Sequence, residues 1–272
     1  GSIYRDTLFV MVITRFKHLV ATALLTTLAG VSHATIVQMQ TSFGEIEVNL
    51  FDENTPATVA NFLSYVDDTS YDNTLVHRSL AEFITQSGGY YLDDALTLSS
   101  VTRKASVINE PVYSNVRGTI AMAKLSCSPN SATSEWFINL NDNSANLDTQ
   151  NSGFTVFGQV TENGMAVLDA IAALPTFNLG NPLTSTPLTN YTQEDSENSN
   201  TLVMENFVFI DSIRVVDTNV GSAALLEPAL NTLIANGDDG NCDTDSDSGG
   251  GAPSGGFLIL MLGLLALGRR TK

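Results

Sequence analysis

Alternating apolar and polar positions begin the globular part of the chain and predict a β-hairpin with one buried face. Thr35–Gln40 and Glu45–Leu50 both alternate, and Ser42-Phe43-Gly44 between them has the composition of a turn. Because successive side chains of a strand point to opposite faces, such a hairpin covers a core with one face.

A helical period replaces this alternation further along the chain. Apolar residues from Val59 to Val66 recur at i, i+3, i+4 and i+7, which predicts one stripe of a helix that begins at Pro56 with Thr55 as its cap. Gly164–Leu174 carries a second stripe of the same kind. Packing against a core explains both stripes without any ligand.

Several later stretches predict further strands, and polar segments separate them. The chain after Gly89 has the composition of a loop to about Lys104, and Pro175–Asn200 that of a long loop. Many strands with two separated helices predict a mainly β fold, an antiparallel barrel that is closed and capped at its ends. The later predicted strands are Gly118–Lys124, Glu135–Leu140, Phe154–Val160, with Gly158 as a bulge or close approach, and Asn206–Val216.

The stretch Thr74–Gly89 holds the candidate chemistry, because Arg78, Phe83, Ile84 and Gln86 fall within nine residues. It contains no Ser/His/Asp set, metal-ligand cluster or phosphate-binding glycine loop. One cation beside apolar residues and an amide suits a site that holds a mostly apolar ligand and directs a hydrogen-bond fork at a carbonyl. The alternative is a surface arginine whose stem packs over a strand.

The amino-acid composition limits which kinds of partner this protein can bind. The 272 residues include 29 acids against 12 bases, a formal charge of −17, and phosphate backbones need clustered cations, so no nucleic acid is expected. This charge favours a soluble protein in a salty or extracellular setting. The two cysteines, Cys127 and Cys242, do not make a disulfide framework, and whether they pair stays open.

The first segment, 1–34, has the features of a leader. Arg15 and Lys17 precede a short apolar run, and small residues at Ser32 and Ala34 suit a cleavage site. We therefore expect an exported protein of the periplasm or cell surface, with a globular domain over 35–220.

The last two segments predict a tail of a different kind. Residues 221–256 include an acidic, glycine-rich linker, and 257–272 combine an apolar run with basic residues. The order resembles a GlyGly-CTERM sorting tail, which a rhomboid-type protease recognises; the alternative is a plain membrane anchor. The expected partner of this helix is thus the membrane or a sorting protease. Basic residues after it place that end in the cytoplasm and the domain outside.

Six segments in order carry a resemblance to a family. PATVANFLSYV, VHRSLAEFITQSGG, RGTIAMAK, SATSEWFINL, NLD and FTVFGQV resemble the cyclophilin-type peptidyl-prolyl cis-trans isomerases, above all the bacterial periplasmic branch. The resemblance spans about 35–216. It implies a closed barrel of eight antiparallel strands with a helix at each end, a surface groove that binds Xaa-Pro segments, and no cofactor or metal.

The resemblance also implies roles for nine residues. The implied catalytic residues are Arg78, Phe83 and Gln86, and the implied substrate-binding residues are Ile84, Ala123, Lys124, Phe137, Leu147 and Phe154.

The chain departs from the family pattern at several positions. Glu135 stands where glutamine is usual, and Ile84 where methionine is usual. Asn146 stands where many eukaryotic members have the tryptophan associated with tight cyclosporin binding, so we expect weak cyclosporin sensitivity. Phe154 replaces a histidine or tyrosine.

Two functions follow from this sequence. The first is a monomeric isomerase that accelerates Xaa-Pro rotation in the folding of exported proteins. Glu135 and the long segment Pro175–Asn200 keep an alternative open, a surface-held binding module that grips proline-containing segments with little turnover. His77 is expected to point away from Arg78 as a satisfied structural histidine.

Overall fold

The structure is a computed structural model, and it describes residues 35–218 and 226–234. The predicted leader, most of the predicted linker and the predicted C-terminal helix lie outside the described residues. Within the part that is described, no helix is long and apolar enough to cross a bilayer.

Strands dominate the described part of the chain. Its thirteen strands are β1 Ile36–Thr41, β2 Gly44–Leu50, β3 Thr74–Leu75, β4 Arg78–Leu80, β5 Ile84–Ser87, β6 Tyr90–Leu92, β7 Leu98–Ser100, β8 Thr119–Met122, β9 Trp136–Asn139, β10 Val156–Val160, β11 Thr176–Phe177, β12 Thr186–Pro187 and β13 Phe209–Asp217.

Eleven of these strands form one sheet in the order β4-β5-β9-β8-β10-β2-β1-β13-β3-β6-β7, and every ladder in it is antiparallel. The predicted hairpin is confirmed as β1 and β2, whose register runs from Ile36 opposite Asn49 to Thr41 opposite Gly44. On β1 buried and half-buried positions alternate, which is the one-sided burial that the pattern predicts.

The sheet differs from the predicted closed barrel of eight strands, because its ladder has two ends, at β4 and at β7. The count is higher because the chain interrupts its own strands. Val76 and His77 separate β3 from β4, and Gly88, at φ 81°, separates β5 from β6 in a left-handed conformation that glycine adopts readily. The predicted loop after Gly89 contributes β6 and β7.

Four α-helices accompany the sheet in the described residues. They are α1 Pro56–Asp67, α2 Ser144–Leu147, α3 Glu162–Ala172 and α4 Gln193–Glu197. The two predicted helices are confirmed as α1 and α3.

The cap of α1 differs from the prediction. The Thr55 side chain makes no capping hydrogen bond. Glu110 instead accepts from the backbone N–H groups of Ala57 at 3.3 Å and Thr58 at 2.9 Å. These N–H groups lie in the first turn, where no carbonyl of the helix can accept from them, and a carboxylate also suits the positive end of the helix dipole. The cap therefore comes from a residue more than 50 positions away in sequence.

Side chains on the two faces of β9 pack into two different apolar clusters. Trp136 and Ile138 enter a large core together with Phe62 of α1, whereas Phe137 enters a second, smaller cluster. Trp136 and Phe137 therefore point to opposite faces of β9, as neighbouring residues of a strand do. The predicted bulge at Gly158 is also present, as a shift of register between Val156 and Gly158 against β8.

The predicted long loop Pro175–Asn200 is instead an ordered insertion. It contains β11, β12 and α4, and its apolar side chains pack with Leu75 and Leu92 of the main sheet in a third cluster. Ser185 lies beside the candidate strand β4, where its carbonyl accepts from the N–H of Ser79 at 2.9 Å. Apolar residues spread irregularly through a polar composition form this core only by packing together in the fold.

Residues 226–234, within the segment predicted as a linker, are hydrogen-bonded to the domain, and we call them the strap. The strap's Ala229 carbonyl accepts from the Ser114 N–H at 2.8 Å, and its Asn231 N–H donates to the Val112 carbonyl at 2.9 Å. Cys127 is disulfide-bonded, and Cys242, the other cysteine of the chain, lies outside the described residues.

Candidate functional site

One row of side chains across four adjacent strands builds the candidate site. In the antiparallel ladders Arg78 of β4 lies opposite Gln86 of β5, Gln86 opposite Phe137 of β9, and Phe137 opposite Ala121 of β8. Directly opposed residues share a face of the sheet with their Cβ atoms about 5 Å apart. Non-local pairing thus places a guanidinium, an amide and an aromatic ring side by side.

An apolar cluster adjoins this row. The rings of Phe137 and Phe154 meet edge-on, with centroids 5.8 Å apart and planes at 72°. Ile84 and Leu147 are fully buried beside them, and Phe83 is half-buried against the cluster. The predicted apolar residues that the structure brings together are Phe83, Ile84, Ala123, Phe137, Leu147 and Phe154.

Arg78 lies at the edge of the sheet, half-buried. Burial lowers the pKa of its guanidinium, although an arginine keeps its charge in a protein. Its Nη1 donates to Gln86 Oε1 across a long 3.4 Å, its one side-chain hydrogen bond to the described residues. Most of its five N–H donors are therefore available to a ligand.

A chain of polar groups continues behind Arg78. Gln86 Nε2 donates to Glu135 Oε2 at 3.0 Å, and His77 Nε2 lies 3.4 Å from the same oxygen. The expectation that His77 is satisfied is wrong in one respect, since its buried Nδ1 has no hydrogen-bond partner among the residues that the structure describes. Sequence analysis identified Glu135 as a departure from the family pattern but did not find its contact with Gln86.

Lys124 turns inward and does not extend along an open edge. Its side chain is buried, Nζ donates to the carbonyls of Asn151 at 2.8 Å and Gly153 at 2.6 Å, and it lies 4.7 Å from the centroid of the Phe154 ring. Burial lowers the pKa of its ammonium to about 7. Lys124 thus fixes the loop that carries a cluster residue.

The loop between Leu147 and Phe154 is anchored by two polar residues that sequence analysis missed. Asp148 is buried and accepts from the Asn115 N–H at 2.7 Å and from the Asn115 amide at 3.1 Å. That amide also donates to the Phe154 carbonyl at 3.0 Å. The only signal in the sequence was polar residues next to apolar ones, which is not specific.

No metal chemistry is indicated by the described residues. Among them, no three His, Cys, Asp or Glu side chains lie together so that they could hold a metal ion. A cavity of about 470 Å³ lies away from Arg78, between the β1–β2 turn and the insertion, and Phe43, Met204 and Phe207 are part of its lining. Its lining lacks the cation and amide that define the candidate site.

Comparison with known proteins gives consistent matches. A model of the family "Cyclophilin type peptidyl-prolyl cis-trans isomerase/CLD" matches residues 36–193. A peptidyl-prolyl cis-trans isomerase of Acinetobacter baylyi is 39% identical over 149 residues, which cover 54% of this chain and 76% of that protein. Peptidyl-prolyl cis-trans isomerase B of Escherichia coli is 34% identical over 156 residues, 53% of this chain and 88% of that protein.

Among solved structures, a cyclophilin type peptidyl-prolyl cis-trans isomerase of Cryptosporidium parvum, crystallised in the presence of the dipeptide Ala-Pro, aligns with a TM-score of 0.49 at 20% identity. The alignment covers 67% of this chain and 99% of the Cryptosporidium parvum chain.

These matches carry more weight than any single motif. The family model spans more than half of the 272 residues, and the matched segment contains every residue of the row and the apolar cluster. Relatives at 39% and 34% identity bear the same name as the family. The chain therefore belongs to the cyclophilin-type peptidyl-prolyl cis-trans isomerase family.

Proposed function

We propose that this chain accelerates rotation about Xaa-Pro bonds in polypeptides, with no covalent intermediate, by stabilising the twisted amide with Arg78. The observation that carries the proposal is the half-buried guanidinium held beside Gln86, whose neighbour on the next strand is Phe137 of the buried cluster.

The reaction needs little beyond this arrangement. Amide resonance gives the bond a barrier of about 18–20 kcal/mol, and an Xaa-Pro bond exchanges over tens to hundreds of seconds. No bond is broken and no proton leaves the substrate. In the twisted state resonance is lost and the proline nitrogen becomes pyramidal, so its lone pair becomes an acceptor that a fixed donor can stabilise.

Each part of the site has a task in this mechanism. Arg78 holds the prolyl carbonyl and donates toward the nitrogen as twisting exposes its lone pair. The cluster around Phe137 and Phe154 binds the proline ring, so one side of the bond is held while the other rotates. Gln86 steadies the guanidinium through its Oε1 and offers an amide to the substrate backbone.

The energy required is within reach of such a site. Acceleration by five decades needs roughly 7 kcal/mol of differential stabilisation, at about 1.36 kcal/mol per decade. A charged donor in a site of low dielectric acts without reorganisation at the moment of reaction, and this is often the largest single contribution to catalysis.

The test is a protease-coupled prolyl-peptide assay on the full chain. Arg78→Ala is expected to lower kcat/KM by about 10²–10³-fold, the range for removal of one preorganised donor. Arg214→Ala is the matched control, because Arg214 pairs with Asp72 at the surface and lies on β13. Wild-type turnover in Arg78→Ala would refute the role of Arg78.

The alternative function is a module that binds proline-containing segments. It is tested with the same protein samples. Binding of a proline peptide, followed by titration, without measurable turnover in the natural chain would support it. The insertion packed beside β4 is the observation that favours an extended binding surface.

We also propose that the enzyme works outside the cytoplasm on exported proteins, as a monomer. The leader-like segment 1–34, the charge of −17 and the tail 257–272 support this assignment. Mass spectrometry of the mature protein from its host tests it: loss of residues 1–34 is expected, and an intact N-terminus would contradict export by this leader.

A further inference from the structure

Glu135 is a buried carboxylate that contacts Gln86 of the candidate site, and nothing in the proposed mechanism uses it. Its side chain is about 8% exposed. One oxygen, Oε2, accepts from Gln86 Nε2 at 3.0 Å and lies 3.4 Å from His77 Nε2, and the other, Oε1, lies 4.0 Å from Arg103 Nη2.

The chemistry of a carboxylate decides which way the Gln86 amide points. A side-chain amide has a donor end and an acceptor end of nearly the same shape, so its orientation depends on its neighbours. An ionised carboxylate can only accept, so the NH2 end of Gln86 must face Glu135. The carbonyl end then faces Arg78, which can only donate.

Packing holds the carboxylate in place. A Cβ atom on Gly89 would lie 2.8 Å from Glu135 Cδ, so backbone passes directly against the carboxyl group. The backbone of Glu135 is fixed as well, because its carbonyl accepts from the Ala123 N–H at 2.9 Å. Both the main chain and the carboxylate of Glu135 therefore have one position.

We propose that Glu135 is a positioning residue, which acts through Gln86 to fix Arg78 in the orientation that meets the twisted amide. The proposal rests on the function proposed above. A neutral glutamine at this position could present either end to Gln86, so the carboxylate enforces an orientation that an amide merely permits.

This arrangement has a consequence for pH. A protonated carboxyl group can donate as well as accept, and it then no longer fixes the Gln86 amide. The titratable or charged groups that face Glu135 are His77, Tyr71, Tyr90 and Arg103.

The two tyrosines do not compete for this role. Burial first, and the charge of Glu135 next, raise the pKa of Tyr90 to about 12, and burial raises that of Tyr71 well above its ordinary value. Both tyrosines therefore stay neutral from neutral to acid pH. Turnover of the natural chain should therefore fall on acidification once the Glu135 carboxylate that accepts from Gln86 takes up a proton.

The experiment measures kcat and KM for a proline peptide from neutral to acid pH with three full-length variants. Glu135→Leu removes the acceptor and is expected to lower kcat about tenfold, the loss of one hydrogen bond to a charged group. Glu135→Gln keeps an acceptor of the same shape, so it should lose less and its turnover should fall less on acidification. Glu110→Gln removes the carboxylate that caps α1 and should keep the natural pH profile.

The results separate two failures. If Arg78→Ala retains turnover, the proposed function fails. If Arg78→Ala loses turnover while Glu135→Gln keeps the full natural fall on acidification, Glu135 is not a positioning residue. Glu135→Gln keeps the test decisive if Glu135→Leu does not fold, and the side-chain amide resonances of Gln86 report its orientation directly: they should shift or broaden in Glu135→Gln but not in Glu110→Gln.

Discussion

At the residue scale, the two cations near the cluster are suited to different tasks. Arg78 keeps its charge despite partial burial and directs a fork with free donors outward. Lys124 Nζ instead donates to the carbonyls of Asn151 and Gly153. One cation is therefore available for a substrate, and the other is part of the structure that holds the cluster.

Lys124 should make the stability of the protein depend on pH. Its pKa, lowered by burial to about 7 in the folded chain, is near 10.5 when the chain is unfolded, so between these values the unfolded state binds more protons. Stability should therefore rise with pH above about 7, by up to about 1.4 kcal/mol per pH unit. Urea unfolding at pH 7 and pH 9 measures this rise.

Lys124→Met removes the titrating group and should flatten that rise. Lys104→Met is the control, because Lys104 pairs with Asp68 near the surface and should leave the rise in place. A rise of the same size in Lys124→Met would assign the pH dependence to another group.

At the element scale, the loop between α2 and β10 is held in a conformation that few residues adopt. Asn151, Ser152 and Gly153 have φ of 52°, 62° and 71°, three left-handed residues in succession. The contacts of Lys124, Asp148 and Asn115 at its two ends oppose the strain of this conformation. The loop ends at Phe154, so its geometry sets the position of a ring of the cluster.

Gly153→Ala should destabilise this loop by more than the cost of placing an alanine at positive φ. A Cβ atom there would lie 2.8 Å from the Asp148 carbonyl oxygen, whereas Gly180, also at positive φ, has nothing within 4 Å of the added Cβ. Gly180→Ala is therefore the matched control and should lose about 1 kcal/mol of stability. Gly153→Ala should lose more and also raise KM; equal losses with unchanged KM would show that the loop does not position Phe154.

At the scale of the whole molecule, the chain adds two layers to the sheet that carries the site. The insertion packs its own core beside β4. The strap is hydrogen-bonded to residues 112–114 and to the loop that contains Asp148. Leu226 of the strap also packs against the apolar cluster. Segments far apart in sequence thus support the same row of residues.

Asn231 should anchor the strap. Its Nδ2 donates to the Asp148 carbonyl at 2.9 Å, and its Oδ1 accepts from the N–H groups of Leu233 and Ile234 at 3.0 Å. Asn231→Ala is expected to lower the free energy of unfolding by about 1–3 kcal/mol, since buried partners are left unpaired. Thr232→Ala, at an exposed neighbour, should stay within about 0.5 kcal/mol, and equal small effects would show that the strap contributes nothing.

Local pattern was sufficient to predict the hairpin, the two long helices and the buried strands of the site. The alternation on β1 and the apolar stripe of α1 follow from the geometry of each element. Each pattern is therefore visible in a continuous stretch of about a dozen residues or fewer. The same pattern failed for Pro175–Asn200, because its apolar residues are spread through polar ones and find their core only in contact with Leu75 and Leu92.

The sequence by itself determined that this protein is a mainly β domain with a cation, an amide and apolar residues close together, since periodicity and composition are properties of neighbouring positions. Only the tertiary structure decided that Glu135 fixes Gln86, that Lys124 turns inward and that Glu110 caps α1. These contacts join residues 49, 29 and 52 positions apart, and strand register and packing alone bring such residues within a hydrogen bond of one another.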